Sequence, residues 1–162
     1  MNDDGASREE QLLSACMSGQ SDMLKSLLDS AETVNVNHTN GLGFTALHYA
    51  AQAGSVECVQ MLSKRREIDP NIQERIGKNT PLHLALIHGE DEESTLDIVR
   101  LLTKAGADPG IVNKAKQRPR DLAEDEEEEI QRVLLQAGLA IEAKKAQAFY
   151  DDQEDEDDYS SG

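Results

Sequence analysis

The sequence predicts an all-α solenoid built from stacked helix–turn–helix units. Two segments repeat at a constant offset of 35 residues, namely TALHYAAQAG from Thr45 and TPLHLALIHG from Thr80. Each segment opens with a threonine that can cap a helix and continues with apolar residues at helical spacing. One such helical pair cannot bury its apolar face alone, so the pattern favours stacking of neighbouring units.

The repeats resemble the ankyrin family, whose unit is a turn, a helix beginning with T-P-L-H, and a second helix. The family period of about 33 residues is recovered when one extra residue is allowed before Asp69 and another in the turn before Thr80. Weaker copies flank the two clear ones, with Ala15 and Gly19 upstream and RPRDLA, from Arg118, downstream. End units with a single neighbour tolerate such degeneration.

These four units set the expected organisation of the chain. We expect a flexible N-terminus over residues 1–8 and an ankyrin-repeat domain over residues 9–138, with units at about 9–38, 39–72, 73–111 and 112–138. Ser7 and Glu10 form a possible capping box for the first helix. The run LAIEAKKAQAFY predicts a C-terminal helix over residues 139–150, and the acidic composition predicts a disordered tail over residues 151–162.

Charge narrows the classes of partner. The net charge is -16, and three acidic runs, at 90–93, 124–129 and 151–158, hold 17 of the 32 acidic residues. A surface of this kind repels phosphate, which argues against nucleic acids and anionic membranes as main partners and leaves open a basic protein. No apolar run is long enough to span a membrane, and the N-terminus lacks a signal or transit pattern, so we expect a protein of the cytoplasm, the nucleus or both. The high net charge also favours a monomer.

No catalytic or metal motif stands out. His48 and His83 recur at one repeat position, which a catalytic or ligating residue would not do, and the resemblance implies that they join neighbouring turns by hydrogen bonds. Cys16 and Cys58 lack metal spacing and fit buried reduced thiols. We therefore expect no enzymatic activity, no metal and no cofactor. The residues assigned a structural role are Thr45, His48, Thr80, Pro81 and His83.

The resemblance places partner binding on the turn tips and on the exposed side of the first helix of each unit. Two large apolar side chains there, Phe44 and Ile87, have no obvious core to serve, although packing on a neighbouring turn would also account for them. Basic residues concentrate in the last two turns. The expected contact residues are Met17, Phe44, Gln52, Arg75, Ile76, Lys78, Asn79, Ile87, His88, Lys114, Lys116 and Arg118.

Two functions follow from this pattern. The first is a binder or escort of a basic protein or segment, since the layout of a few repeats followed by an acidic tail resembles small fungal ankyrin-repeat chaperones. The second is a regulatory or inhibitory subunit that uses the concave ankyrin face. The acidic runs also have a simpler explanation, because charge alone keeps a thin solenoid soluble.

Overall fold

A computed structural model describes the backbone of residues 5–160 and the side chains of residues 5–153. Eight helices and no strand occur in this part of the chain, which confirms the all-α solenoid. They form four pairs: α1 (Arg8–Met17) with α2 (Ser21–Asp29), α3 (Ala46–Gln52) with α4 (Val56–Ser63), α5 (Pro81–Ile87) with α6 (Glu92–Lys104), and α7 (Pro119–Leu122) with α8 (Glu128–Ser160). None of the described helices is both long and apolar enough to cross a membrane.

Side-chain caps fix where the first helix of each pair begins. The hydroxyl groups of Thr45 and Thr80 accept hydrogen bonds from the main-chain N–H of His48 and His83, and Pro81 occupies the first turn of α5. Ser7 caps α1 in the same way and pairs with Glu10, as its S-x-x-E pattern predicts. The short helices therefore start at positions that the sequence marks.

Stacking of the pairs produces one continuous apolar core. First helices pack on first helices, so α3 lies between α1 and α5, while the second helices α2, α4, α6 and α8 form a parallel row. Leu47, Leu82 and Val99 are fully buried between the layers, and Ala50 and Ala51 allow close approach of α3 to its neighbours. The core therefore runs along the solenoid instead of lying at one centre.

Asparagine side chains at the closing turns of the first and second units form a ladder, because each one hydrogen-bonds to the unit that follows. The Asn37 amide donates to the carbonyl of Glu67 and accepts from the N–H of Asp69 at 2.8 Å. One unit later, Asn71 donates to the carbonyl of Gly106 and accepts from the N–H of Asp108. The corresponding position of the third unit is Gly110, which has no side chain, so the ladder does not continue from the third unit to the fourth.

The C-terminal region differs from the expected separate helix and disordered tail. α8 runs without a break from Glu128 through Gly138 to Ser160, so the second helix of the fourth unit and the 139–150 helix are one helix. Residues 139–150 contain no Gly, Pro, Asn, Asp or Ser, and their alanine, leucine, glutamate and lysine favour continued helix. The helix continues into the acidic segment, where the Gln147 side chain donates to Asp151 at 3.0 Å. Ser161 and Gly162 lie outside the described residues.

Candidate partner-binding surface

A buried carboxylate builds the turn of the third unit. Glu74 is only 2% exposed, and its oxygens accept the main-chain N–H groups of Ile76 at 2.6 Å, Gly77 at 2.9 Å and Asn79 at 3.0 Å. Burial acts to raise the pKa of Glu74, but these N–H donors outweigh it and hold the pKa below its usual range. Glu74 is therefore ionised and fixes the backbone that presents the tip.

An asparagine side chain accepts the main-chain N–H groups of the turn in the second and fourth units. The Asn40 side-chain oxygen accepts from the N–H of Leu42 and Phe44, and Asn113 accepts from Ala115 and Gln117, all at 3.0–3.1 Å. The third turn is one residue longer and needs the two oxygens of a carboxylate. From the sequence alone, no role was assigned to Asn40, Glu74 or Asn113. Their equivalent positions in three repeats were the signal, and these align once the extra residue of the third turn is allowed for.

The repeated histidines join each turn to the next. Nδ1 of His48 accepts from the N–H of Thr45, and its Nε2 donates to the carbonyl of Asn79 at 3.0 Å. His83 repeats both contacts, with Thr80 and with the carbonyl of Gln117 at 2.9 Å. Burial lowers the pKa of both rings, so both are neutral. Each histidine thus fixes the tip that follows it.

Two lysines occupy unfavourable backbone positions at the tips. Lys78 and Lys116 are equivalent residues with φ of 57° and 66°, in the left-handed region that favours glycine. The second unit has Gly43 at this position, with φ of 85°. The third and fourth tips therefore carry a cation where glycine would fit with less strain.

The basic residues expected to contact a partner converge on these two adjacent tips. The N–H of Lys114 donates to the carbonyl of Gly77 at 2.8 Å, which holds the third and fourth turns side by side. Residues 72–80 and 111–120 contain six of the 16 basic residues and a single acid, the buried Glu74. Among the described side chains, Arg118 is the only one of the six in an ion pair, with Asp121 at 3.2 Å.

A shallow groove lies beside the basic tips. Its volume is about 360 Å³, and its lining includes Asn79, Ile87 and Lys114. Ile87 is 46% exposed, and Ile76 at the third tip is 60% exposed. The third and fourth turns therefore combine cations with exposed apolar side chains.

Other expected contact residues lie elsewhere. Phe44 is half-buried, stacks on Tyr49 with a centroid distance of 5.2 Å, and meets His48 edge-on at 5.5 Å, so it packs within its own unit. Gln52 and His88 line a separate cavity of about 80 Å³ between the helix-pair loops. Met17, exposed at the end of α1, belongs to the first unit.

A second groove, which sequence reasoning did not find, lies at the C-terminal end of the solenoid. It has a volume of about 200 Å³ between the Asp108–Gly110 segment, α8 and the start of α7. Pro109, Leu135 and Leu139 form apolar walls, and Arg118 and Arg120 also line it. The signal for it in the sequence is a second apolar stripe on α8, which is visible only once α8 is known to be continuous.

The described side chains show no metal-binding arrangement. No group of three or more His, Cys, Asp or Glu residues within the described range is positioned to hold an ion. Cys16 and Cys58 are buried free thiols.

Comparison with known proteins identifies the repeat. A sequence profile for ankyrin repeats in three copies matches residues 12–113. An ankyrin repeat-containing protein of Saccharomyces cerevisiae is 36% identical over 154 residues, covering 88% of this chain and 84% of the yeast protein.

Two further relatives share only the repeat region. The ANK repeat-containing protein nipk-1 of Caenorhabditis elegans is 29% identical over 109 residues, which are 64% of this chain and 18% of that protein. Human ankyrin repeat domain-containing protein 53 is 36% identical over 70 residues, which are 43% of this chain and 13% of that protein. The profile match and the yeast relative show that this chain belongs to the ankyrin-repeat family, whose repeats are protein-interaction modules.

Proposed function

We propose that this protein has no catalytic activity of its own and binds or escorts a basic protein or basic segment through the acidic part of α8. The observation that supports this is exposure: every side chain from Glu142 to Gln153 is exposed. Residues 151–158 contain seven acids and no basic residue. Such a helix offers carboxylates to a cationic partner without disturbing the core.

The nature of the partner follows from its charge. A ribosomal protein or a histone-like tail has the required excess of lysine and arginine, and an acidic escort would shield that charge from nucleic acid. Partners of these kinds correspond to the cytoplasm or the nucleus as the working compartment.

Neutralising the acidic segment tests this proposal. The seven acids of residues 151–158 are changed to Asn or Gln, and binding of a lysine- and arginine-rich synthetic peptide is measured by calorimetry at several salt concentrations. We expect weaker binding and a flatter salt dependence than for the unaltered chain. Met23→Ala, an exposed residue on α2 in the first unit, is the control. Equal affinity and an equal salt slope in the neutralised variant would show that the acidic segment does not bind the peptide.

The groove beside Ile87 supports a second candidate, a regulatory or inhibitory subunit that binds a larger complex through its turn tips. The exposed Ile87 lines this groove with Lys114, and the exposed Ile76 lies on the adjoining third tip. Ile76→Ala with Ile87→Ala should abolish capture of the partner, identified by affinity purification and mass spectrometry, without changing the helical circular dichroism. Undiminished capture by the double variant would exclude this surface.

A further inference from the structure

α8 has two apolar faces, and only one of them is covered. Ile130 and Leu134 are buried against the solenoid, and Val133 packs on the same core. Leu135 and Leu139 point away from that core and are 45% and 62% exposed. Because residues advance by about 100° along a helix, the second set lies on the side where a fifth unit would stack.

The uncovered face is longer than one contact. Leu135, Leu139, Ala143, Ala146 and Tyr150 follow each other at spacings of four, four, three and four residues, which places them in one stripe. Tyr150 is 65% exposed, and its neighbour Phe149 is 61% exposed. The outer face of an end unit is normally polar, so this stripe differs from a solvent-facing cap.

The histidine ladder also ends here. Asp121 of the fourth unit replaces the linking histidine, accepts from Arg118 and has no side-chain N–H to donate onward. Within the described residues no fifth turn covers the fourth unit, and the space beside Pro109, Leu135 and Leu139 is the 200 Å³ groove.

The two ends of the stripe are complementary to each other. One end is the groove, with apolar walls and the cations Arg118 and Arg120. The other end presents two exposed aromatic rings followed by Asp151 and Asp152. About 16 Å of helix separates Leu139 from Tyr150, so the rings cannot enter the groove of their own chain.

We propose that this surface binds a second copy of the chain, with the two α8 helices antiparallel and centred near residues 142 and 143. This register puts Tyr150 of each copy opposite Leu135 of the other, and Asp151 and Asp152 opposite Arg118 and Arg120. Ala143 and Ala146 lie near the two-fold axis, where small side chains allow close approach of the helices. The contact is isologous, because each copy gives one groove and one aromatic pair.

The net charge of -16 opposes association. At physiological ionic strength the Debye length is about 8 Å, so acids away from the interface are largely screened. In this register positions 156 and 157 lie opposite Glu128 and Glu129 of the other copy, and repulsion between these acids weakens the dimer. The proposal replaces the monomer expected from the sequence, and its test uses the chain alone, without the basic partner proposed above.

Sedimentation equilibrium of the purified full chain over a range of concentrations tests the surface. We expect reversible dimers, and the double substitution Phe149→Ala with Tyr150→Ala should raise the dissociation constant by about a hundredfold, since each loss acts twice in a symmetric pair. Met23→Ala removes another exposed apolar side chain, on α2, and should leave the constant unchanged. A monomer at every concentration, or equal weakening by both variants, would overturn the proposal.

A charge exchange tests the register. In R120E, glutamate would face Asp151 and Asp152, and in the variant with D151K and D152K, lysines would face Arg118 and Arg120. Each variant alone should dimerise at least about tenfold more weakly, by about 1.4 kcal/mol, whereas an equimolar mixture should form a heterodimer with opposite charges at both ends. All three positions are exposed, so the fold should be kept, which circular dichroism checks. Failure of the mixture to associate more tightly than either variant would refute this register.

Discussion

Replacing Glu74 should destabilise the protein more than its place in a surface turn suggests. In Glu74→Ala, the N–H groups of Ile76, Gly77 and Asn79 lose their acceptor. An unsatisfied buried donor costs about 1–3 kcal/mol, and water can reach the tip and reduce this, so we expect a total loss of about 2–4 kcal/mol. For a chain of this size that corresponds to a fall in Tm of roughly 5–15 °C.

The assay is urea and thermal unfolding followed by circular dichroism. A matched rescue uses the turn of the neighbouring units: Glu74→Asn combined with deletion of Ile76 gives the shorter asparagine turn of the second and fourth units. This variant should recover most of the lost stability, whereas Glu74→Asn alone should not. A loss below about 0.5 kcal/mol in Glu74→Ala, the range of ordinary surface changes, would refute the role assigned to the carboxylate.

The pH dependence gives a second check on the same residue. The pKa of Glu74 is lower in the folded state than in the unfolded state. Its contribution is therefore fully present above the unfolded pKa, near 4.5, and is lost as pH falls through the folded pKa. The difference in stability between the unaltered chain and Glu74→Gln should be constant from pH 7 to pH 5 and should shrink below. A difference independent of pH down to pH 3 would contradict an ionised Glu74.

Further predictions follow from the other tip residues. The pKa values of His48 and His83 are lower in the folded state than in the unfolded state, near 6.5. Their stabilising effect is therefore present above pH 6.5, and the stability of the protein should fall as the pH drops below it. Changing both histidines to Asn should flatten the pH dependence of Tm between pH 7 and pH 5. Lys78→Gly and Lys116→Gly should each raise the unfolding free energy by about 0.5–1 kcal/mol in urea titrations, because the left-handed strain is relieved, and a loss of stability would show that the lysines are not strained. Phe44→Ala should cost about 1–3 kcal/mol in the same titration, through lost packing on Tyr49, and a change below 0.5 kcal/mol would instead fit a free contact residue.

The repeat and its caps were predictable because they depend on local patterns. A threonine before an apolar run predicts the N-cap of a helix. A histidine at the same place in two copies predicts a structural role that repeats. Glu74 was not predicted, since an acid in a polar turn looks solvated until the backbone around it is known.

The end of the chain was not predictable for a different reason. The acidic composition of residues 151–158 favours disorder, whereas helix propagation from a well-packed α8 favours continuation. The amino-acid composition does not show which of these two effects is larger. The burial of Phe44 was not predictable from composition either. It depends on stacking against the ring of Tyr49, and the equivalent residue of the third unit is Leu84, which has no ring.

Gly110 also has a consequence for where the array opens first. The second unit contacts the third through two side chains, the Asn71 amide and the His48 imidazole. The first unit contacts the second through the Asn37 amide and has no equivalent histidine, and the third contacts the fourth through the His83 imidazole and has Gly110 at the asparagine position. The central junction therefore carries both kinds of link and each outer junction carries one. Local unfolding should begin at the two outer units and reach the central pair last.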